Sequence, residues 1–297
     1  MYQQEIQNFT QRQYMIRENY EIYSYYDAYP ESVALHHHDF YEIYHFIGGS
    51  VSYSVEGRHY KLLSGDTLLI SPLELHQPVF SEEKAAYERI VLWISKAYLD
   101  KLSSDKADLS VCFNPSRENH TNLLRMSPNE CEEYQEILNK ILQETQSDEF
   151  AAERMCHSKI IELLALTNRK MSSNDGRYEV EVKDNGLVEK VVAYINNCYE
   201  KEISLDKLAE IFYVSKFYLS HRFKKLVGTS VYRYVMQKRL AVAKSRLING
   251  ERPMQVYLKC GFKDYANFYR AFKFEYKTTP DKFMKTQGEL TLQDRKI

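Results

Sequence analysis

The feature that most constrains the fold is an apolar pattern that occurs twice in the C-terminal third of the sequence. Residues 204–227 and 253–276 each predict two short helices joined by a tight turn, because their apolar residues recur at helical spacing. A shift of 49 residues places Ser215 on Asp264, and both residue types cap helices well. Gly228 is predicted to end the first unit in the left-handed conformation. The pattern therefore predicts two helix-turn-helix units.

The second helix of a helix-turn-helix unit can enter the major groove of DNA. Residues 231–248 predict one helix between the units, about 27 Å long at about 1.5 Å per residue. This length is near the roughly 34 Å that separates successive major-groove faces on one side of a duplex. Two such helices on one strut would fit adjacent turns of DNA, although the solvated faces of ordinary helices would show the same pattern.

The outward faces of the two second helices carry the predicted DNA contacts. Lysine suits phosphate oxygens, and short polar side chains suit base edges. Arg270 suits a bidentate contact with guanine, although it could instead hold a phosphate or an internal acid. The predicted contact residues are Lys216, Phe217, Ser220, His221, Lys224 and Lys225 in the first unit, and Tyr265, Ala266, Asn267, Tyr269, Arg270 and Lys273 in the second.

About the last hundred residues resemble the AraC/XylS family of bacterial transcription regulators. The sequence departs from the family pattern at Tyr257, Lys277 and Met284, where the family favours Ala, Gly and Arg. The resemblance implies a double helix-turn-helix domain that binds promoter DNA, and RNA polymerase as a further partner. The residues that carry it are Leu208, Ala209, Tyr218, Leu219, Ser220, Phe223, Lys224, Lys225, Gly228, Arg239, Leu240, Ala241, Ala243, Leu247, Gly261, Phe262, Asp264, Phe268, Arg270, Phe272, Lys273 and Pro280.

The charge of the chain is divided unevenly along its length. Residues 187–297 hold 22 Lys and Arg against 11 Asp and Glu, and the rest of the chain holds 18 against 30, although the formal net charge is only −1. A basic region of this kind indicates nucleic-acid binding. A chain of 297 residues is also long enough for two domains. The predicted organisation is a sensing domain over residues 1–170, a linker over 171–186, a DNA-binding domain over 187–286 and a tail over 287–297.

The cysteines and the hydropathy indicate a cytoplasmic protein. Five scattered cysteines without a CxxC spacing imply neither a disulfide framework nor a zinc site, and reduced thiols are typical of the cytosol. No apolar run approaches the roughly 18 residues of a membrane span, and no apolar signal core is present at the N-terminus. No membrane partner is therefore expected.

The N-terminal half predicts an antiparallel barrel or jelly roll, so the fold class is α+β: a cupin-like β domain with a helical pair, then an all-α domain. Short strands with period-two patterns are separated by Gly-containing turns. Two amphipathic helices over residues 128–145 and 150–169 either pack on the barrel or form a dimer surface, and the family resemblance implies that such helices often do both. A homodimer through residues 128–170 is therefore expected. The predicted strands include Tyr23, Tyr25 and Tyr26 and cover residues 41–47, 50–55, 58–63, 67–70 and 89–94.

Histidines at the start of the strand region form the candidate effector site. His36 and His38 would share one face if they lie on a strand, with Glu42 and His76 following. This order resembles the cupin pattern and the sensory domain of AraC-type regulators. The residues could line an effector pocket, bind a transition metal or be surface polar groups. The first interpretation is adopted, with no metal or cofactor, and the predicted effector contacts are His36, His38, Glu42, Tyr44, Tyr53 and His76.

The expected function is sequence-specific binding of promoter DNA, for activation or repression, modulated by a small effector with a sugar as the first hypothesis. The chain is not expected to be an enzyme. Two alternatives remain open: a metal-dependent cupin enzyme fused to a DNA-binding domain, and a DNA-architectural protein without sensing.

Overall fold

The computed structural model describes residues 14–80, 86–117, 120–172 and 186–285. The chain divides into two compact units, and the boundary between them falls within residues 173–185, outside the described ranges. The predicted linker over residues 171–186 lies on this stretch, apart from its two ends, which belong to helices. The predicted tail over residues 287–297 also lies outside the described residues.

Two antiparallel sheets form the β part of the first unit. The larger sheet has the order β1-β7-β2-β5-β8, and the smaller one has the order β4-β3-β6. Both the strand pairing and the mixed α and β content agree with the predicted α+β class. The strands are β1 (Tyr20–Asp27), β2 (Tyr41–Gly48), β3 (Val51–Val55), β4 (Arg58–Lys61), β5 (Thr67–Ile70), β6 (His76–Phe80), β7 (Tyr87–Ile94) and β8 (Leu123–Leu124).

Both faces of the larger sheet are buried. Successive side chains of a strand point to opposite faces, so Ile43 and Tyr44 belong to different cores. The core on the Tyr44 side contains side chains of both sheets, including Tyr53 of β3 and Tyr60 of β4. The core on the Ile43 side contains the apolar faces of the helices, with Leu138 among them. The larger sheet is therefore the central layer between the smaller sheet and the helices.

Three helices cover the second face of the larger sheet. They are α1 (Lys96–Leu102), α2 (Pro128–Thr145) and α3 (Ala152–Ser172). A capping box between Ser127 and Glu130 begins α2, because each side chain accepts a hydrogen bond from the other residue's backbone N–H. Within the described part of the chain, no helix is long and apolar enough to cross a membrane.

Within residues 186–285, six helices form the second unit. The predicted caps Ser215 and Asp264 each accept a backbone N–H of the helix that follows, and Ser204 does the same for the helix Leu205–Ile211. Gly228 ends the first helix-turn-helix unit at φ 79°, in the predicted left-handed conformation. The helices are α4 (Gly186–Cys198), α5 (Leu205–Ile211), α6 (Lys216–Val227), α7 (Val231–Ile248), α8 (Pro253–Lys259) and α9 (Tyr265–Tyr276).

The structure corrects two local expectations in the first unit. His36 and His38 do not lie on a strand; His36 only forms an isolated antiparallel bridge with His76. The sequence pattern also missed β6, which contains Pro78. Proline cannot donate to a sheet, yet β6 is an edge strand and tolerates it. The breaking effect of proline therefore hid a real strand.

Candidate functional site

A cavity of about 500 Å³, including open solvent at its mouth, lies in the β part of the first unit. Five of the six predicted effector contacts line it, and the sixth, His76, packs with its ring 4.2 Å from that of His36 and 4.8 Å from that of His38. The cavity is therefore the place where the sequence-predicted residues meet. Its lining comprises Tyr25, Val33, His36, His38, Glu42, Tyr44, Tyr53, Pro78, Tyr87, Arg89, Val91 and Trp93.

A cluster of two imidazoles and one carboxylate forms the most polar part of this region. The ligand atoms of His38, Glu42 and His76 all lie within 4.8 Å of one another, and all three side chains are buried. His38 Nε2 is 2.9 Å from Glu42 Oε2. The indole N–H of Trp93 donates to the same oxygen at 3.1 Å, so the carboxylate is held from two sides.

Backbone carbonyls fix the orientation of the imidazole rings. His38 Nδ1 donates to the carbonyl of Phe40 at 2.8 Å, and His76 Nδ1 donates to the carbonyl of Glu74 at 2.8 Å. His36 Nδ1 likewise donates to a backbone carbonyl at 2.9 Å. A carbonyl only accepts hydrogen bonds, so Nδ1 carries the proton in each ring and Nε2 is the remaining nitrogen.

Burial keeps two of these rings neutral. Desolvation lowers the pKa of His36 to about 4 and lowers the pKa of His76 well below its usual range. Both rings are therefore uncharged near neutral pH and present an acceptor nitrogen. Neutral imidazole nitrogens can accept a hydrogen bond from an effector hydroxyl or donate a lone pair to a metal ion.

Tyrosine hydroxyls form the second polar part of the cavity. Tyr44 and Tyr87 share a hydrogen bond between their hydroxyls. Burial raises the pKa of Tyr44 and of Tyr53 well above the usual range and raises that of Tyr87 to about 12. The three groups therefore stay protonated. One proton lies in the hydrogen bond between Tyr44 and Tyr87, so two of the three hydroxyls can donate to an oxygen-rich ligand.

Arg89 is a buried cation beside these hydroxyls. Its Nη1 donates to Asp27 Oδ2 at 2.6 Å, and the guanidinium lies 4.1 Å from the ring centre of Tyr87 and 4.8 Å from that of Tyr25. A buried cation needs a partner, and the carboxylate and the two ring faces supply it. These contacts hold Arg89 in a fixed position in the wall of the cavity.

The sequence analysis missed the contribution of β7. Tyr87, Arg89, Val91 and Trp93 alternate along this strand and all line the cavity. The available indication was the charged Arg89 at a strand position that shares the face of two aromatic residues, Tyr87 and Trp93. The register completes the arrangement, because Trp93 pairs with Glu42 across β2 and β7.

In the second unit, the predicted DNA contacts on α6 form one exposed face. All six of them are exposed, and the inward side chains of Leu219 and Phe223 are fully buried. Phe217 is 82% exposed, so its ring is accessible for contact with a partner. The turn before α6 adds Tyr213, at φ 54° and 95% exposed. Tyr213 was not among the predicted contacts.

The corresponding face of α9 is partly held by internal hydrogen bonds. Arg270 Nη2 donates to Asn267 Oδ1 at 2.7 Å, and Asn267 Nδ2 donates to Asp264 Oδ2 at 2.5 Å. Tyr265 is half-buried, and its hydroxyl donates to Asp281 at 3.0 Å. Ala266 and Lys273 are exposed and Tyr269 is half-buried. Arg270 and Asn267 are therefore pre-oriented, whereas Tyr265 packs within the unit.

Two family models match the two units. A helix-turn-helix domain model matches residues 208–286, and an AraC-like ligand binding domain model matches residues 19–164. The chain belongs to the AraC family. The resemblance inferred from the sequence is thereby confirmed, and the histidine and tyrosine cavity lies within the residues matched by the AraC-like ligand binding domain.

Relatives of known name are transcriptional regulators. The HTH-type transcriptional activator RhaR of Enterobacter sp. (strain 638) is 24% identical over 256 residues, which cover 86% of this chain and 88% of RhaR. The Xylose operon regulatory protein of Escherichia coli (strain K12) is 30% identical over 100 residues, which cover 33% of this chain and 26% of that protein. The matches to two further transcriptional regulators cover 30% and 37% of the lengths of those proteins.

Solved structures of similar proteins include fatty acid-bound ToxT from Vibrio cholerae. It is 14% identical with a TM-score of 0.40, and the match covers 91% of this chain and 97% of ToxT. A protein of unknown function from Listeria innocua is 29% identical with a TM-score of 0.32, over 33% of this chain and 95% of that chain.

Proposed function

We propose that the protein is a cytoplasmic transcription regulator that binds promoter DNA through its second unit and a small effector through its first. The observation that carries the proposal is the repeated helix pair, in which α6 and α9 are capped alike and each exposes a polar, cation-bearing face. Membership of the AraC family supports the same assignment.

The contacts with DNA divide by chemistry. Lys224, Lys225 and Lys273 are exposed cations that would neutralise phosphates, which adds affinity without sequence preference. Ser220 and His221 present short polar groups that suit base edges. In the second unit, Arg270 is the candidate for a bidentate guanine contact, and its hydrogen bond to Asn267 lowers the entropy lost on binding.

The effector would be small and polar. The three protonated tyrosine hydroxyls and the acceptor nitrogens of the histidines offer both donors and acceptors, and the aromatic rings offer apolar faces. A polyhydroxylated molecule such as a sugar matches this combination.

The proposed function also includes assembly into a dimer. We infer a homodimer formed through α2 and α3, whose inner faces pack on the sheet and whose outer faces remain solvated. RNA polymerase is the further partner expected of an activator. Analytical ultracentrifugation of the intact protein tests the dimer, and substitution of the exposed Ile161 on α3 by Glu is expected to weaken it.

The decisive experiment for DNA binding is a salt titration with the intact protein. Fluorescence anisotropy with a duplex selected from genomic DNA for binding to the protein is expected to show affinity that falls by about 10³- to 10⁵-fold between about 50 and 200 mM salt, as for a protein with about 6–10 phosphate contacts. A duplex of scrambled sequence is the control and should bind more weakly at every salt concentration. Equal affinity for both duplexes, or no salt dependence, would contradict the proposal.

A further inference from the structure

We propose that His38, Glu42 and His76 bind a divalent first-row transition-metal ion in the first unit. Two imidazoles and one carboxylate form a donor set that suits ions from Mn²⁺ to Zn²⁺. The three ligand atoms already lie within 4.8 Å of one another, on buried side chains. The sequence analysis assigned these residues to the effector and expected no metal. The proposal goes beyond regulation, since the ion would bind whether or not DNA or an effector does.

The hydrogen bonds around the two rings match those of metal-binding histidines. A ligating imidazole commonly donates its other N–H to a backbone carbonyl or a carboxylate, which fixes the ring. Here the carbonyls of Phe40 and Glu74 accept the Nδ1 protons of His38 and His76, each at 2.8 Å. The Nε2 atoms of both rings are therefore the available ligands, without any rearrangement of the tautomers.

The contact between His38 and Glu42 requires a proton or a metal ion between them. With its Nδ1 proton given to a carbonyl, a neutral His38 would turn the lone pair of Nε2 toward Glu42 Oε2, only 2.9 Å away. A proton can occupy that gap, and a metal ion can replace it by bonding to both atoms. The Trp93 N–H holds the carboxylate in place from the side.

A single proton shared by His38 and Glu42 would leave His76 unsatisfied. Its Nε2 is buried and has no hydrogen-bond partner among the described residues. A buried polar atom without a partner costs free energy, and a shared proton between His38 and Glu42 leaves that cost in place. One metal ion would satisfy all three ligand atoms together.

The geometry also leaves room for a further ligand. Ligand atoms on one tetrahedral ion are roughly 3.3 Å apart, given bonds of about 2.0–2.2 Å, so the three groups need to shift by only about 1 Å. The ring of His36 lies 4.2 Å from that of His76 and its Nδ1 is likewise tied to a carbonyl. A fourth position would therefore be filled by His36, by water or by an effector oxygen.

Trp93 makes the proposal directly measurable. It is the only tryptophan of the chain, and its indole nitrogen is 3.1 Å from the Glu42 carboxylate. A paramagnetic ion bound to that carboxylate quenches indole fluorescence at close range. The intact protein, treated with chelator and dialysed, is titrated with Co²⁺ while Trp93 fluorescence and the visible absorption of Co²⁺ are followed. Saturable, stoichiometric quenching is expected, and Zn²⁺ should displace Co²⁺ and restore the fluorescence.

Matched variants locate the ion. In His76→Ala and Glu42→Gln, the affinity for Co²⁺ is expected to fall by more than about 100-fold, because even the loss of outer partners costs about 10- to 100-fold. His45→Gln is the control. His45 is a buried imidazole on β2, the strand that carries Glu42, and it faces Thr67 and Tyr134 on the other side of the sheet. The affinity of the His45→Gln variant for Co²⁺ should match that of the unaltered protein.

The outcomes separate cleanly. Absence of saturable quenching in the unaltered protein would overturn the proposal, and so would equal Co²⁺ affinity in Glu42→Gln. Loss of quenching in a folded His45→Gln variant would also overturn it, because the ion would then lie elsewhere. If circular dichroism shows that His76→Ala is unfolded, Glu42→Gln decides alone, since its amide oxygen still accepts the Trp93 N–H and preserves the packing.

Discussion

At the scale of single residues, His221 and Lys224 of α6 should distinguish base contacts from phosphate contacts. Both are exposed on the same face of the helix. His221→Ala is expected to cost roughly 1–3 kcal/mol of binding free energy on the operator and little on random DNA, whereas Lys224→Ala should weaken both about equally. Anisotropy titrations on the two duplexes at one salt concentration measure this. Equal losses for His221→Ala on both would assign His221 to a phosphate instead.

His45 should make the stability of the first unit depend on pH. Burial lowers its pKa to about 4, and an unfolded histidine has a pKa of about 6.5. Because the folded pKa is the lower one, the unfolded chain takes up the proton first as the pH falls. The free energy of unfolding should therefore decrease from about pH 6.5 down to about pH 4, by roughly 3 kcal/mol from this group.

The test compares His45→Gln with the unaltered protein. Urea unfolding followed by Trp93 fluorescence, at about pH 7 and about pH 4.5, gives the free energies for the first unit. The variant should lose roughly 2 kcal/mol less on acidification, because Gln keeps a hydrogen bond to Thr67 and takes up no proton. The same loss in both proteins would show that other groups cause the acid sensitivity.

Arg89 shows where residue-level prediction ended. The position of Arg89 between Tyr87 and Val91 on one face of β7 indicated a buried charge, but its partner Asp27 lies 62 residues away in the chain. Local periodicity gives the face of a strand and carries no information about which strand pairs beside it. His36, His38, Glu42 and His76 could be grouped from a resemblance, whereas Tyr87 and Arg89 of β7 could not.

At the scale of elements, the ends of α6 and α9 form a natural comparison. Both helices end in a left-handed residue, Gly228 at φ 79° and Lys277 at φ 57°. The left-handed conformation costs an L-residue roughly 1–2 kcal/mol, and glycine adopts it freely. The departure of Lys277 from the family's glycine therefore leaves strain in the second unit, because the backbone shape is kept without the residue that suits it.

Lys277→Gly is expected to stabilise the second unit by roughly 0.5–1 kcal/mol, after allowance for the greater freedom of glycine in the unfolded chain. Gly228→Ala should destabilise it by roughly 1 kcal/mol for the converse reason. Lys277→Ala is the control for the side chain, since it removes the hydrogen bond from Nζ to the Phe274 carbonyl and keeps the strain. Chemical unfolding followed by circular dichroism measures all three. A gain in Lys277→Ala equal to that in Lys277→Gly would attribute the effect to the side chain.

The elements that the sequence predicted well share a local cause. The side chains of Ser204, Ser215 and Asp264 each accept the backbone N–H of the residue three positions later. The few residues at the start of each helix are therefore enough to predict its cap. β6 and β8 were not predicted, for the opposite reason: β6 contains Pro78, and β8 has only two residues. Such strands exist because of their neighbours in the sheet, through pairings that a local pattern does not contain.

At the scale of the whole molecule, the fold class followed from a change of period along the chain, and the site did not. Period-two strands before residue 95 and helical stripes after residue 128 predict the α+β class directly. The cavity depends on registers that join distant strands, such as Glu42 with Trp93 and Val55 with His76. The resemblance to a known sensory domain supplied the histidines because it carries three-dimensional information that the periodicity lacks.

The last prediction concerns coupling between the two units. An effector changes DNA affinity only through its different affinities for two states of the chain, typically by 1–3 kcal/mol, or about 5- to 150-fold. A polar metabolite found by thermal-shift screening is therefore expected to change the operator affinity of the intact protein by such a factor. The fragment of residues 187–297, which lacks the cavity, should bind operator equally with and without it.

Tyr53→Phe provides the matched variant for this test. It removes one hydroxyl from the cavity lining and keeps the ring that packs against Tyr44 at 4.9 Å. Its operator affinity without effector should equal that of the unaltered protein, and the effector concentration for half response should rise by about 3- to 10-fold, as for the loss of one hydrogen bond. If the metabolite changed the fragment as much as the intact chain, the sensor would lie in the second unit. If Tyr53→Phe left the response unchanged, the effector would bind outside this part of the cavity, because a ligand held by the tyrosines must lose affinity when one hydroxyl is removed.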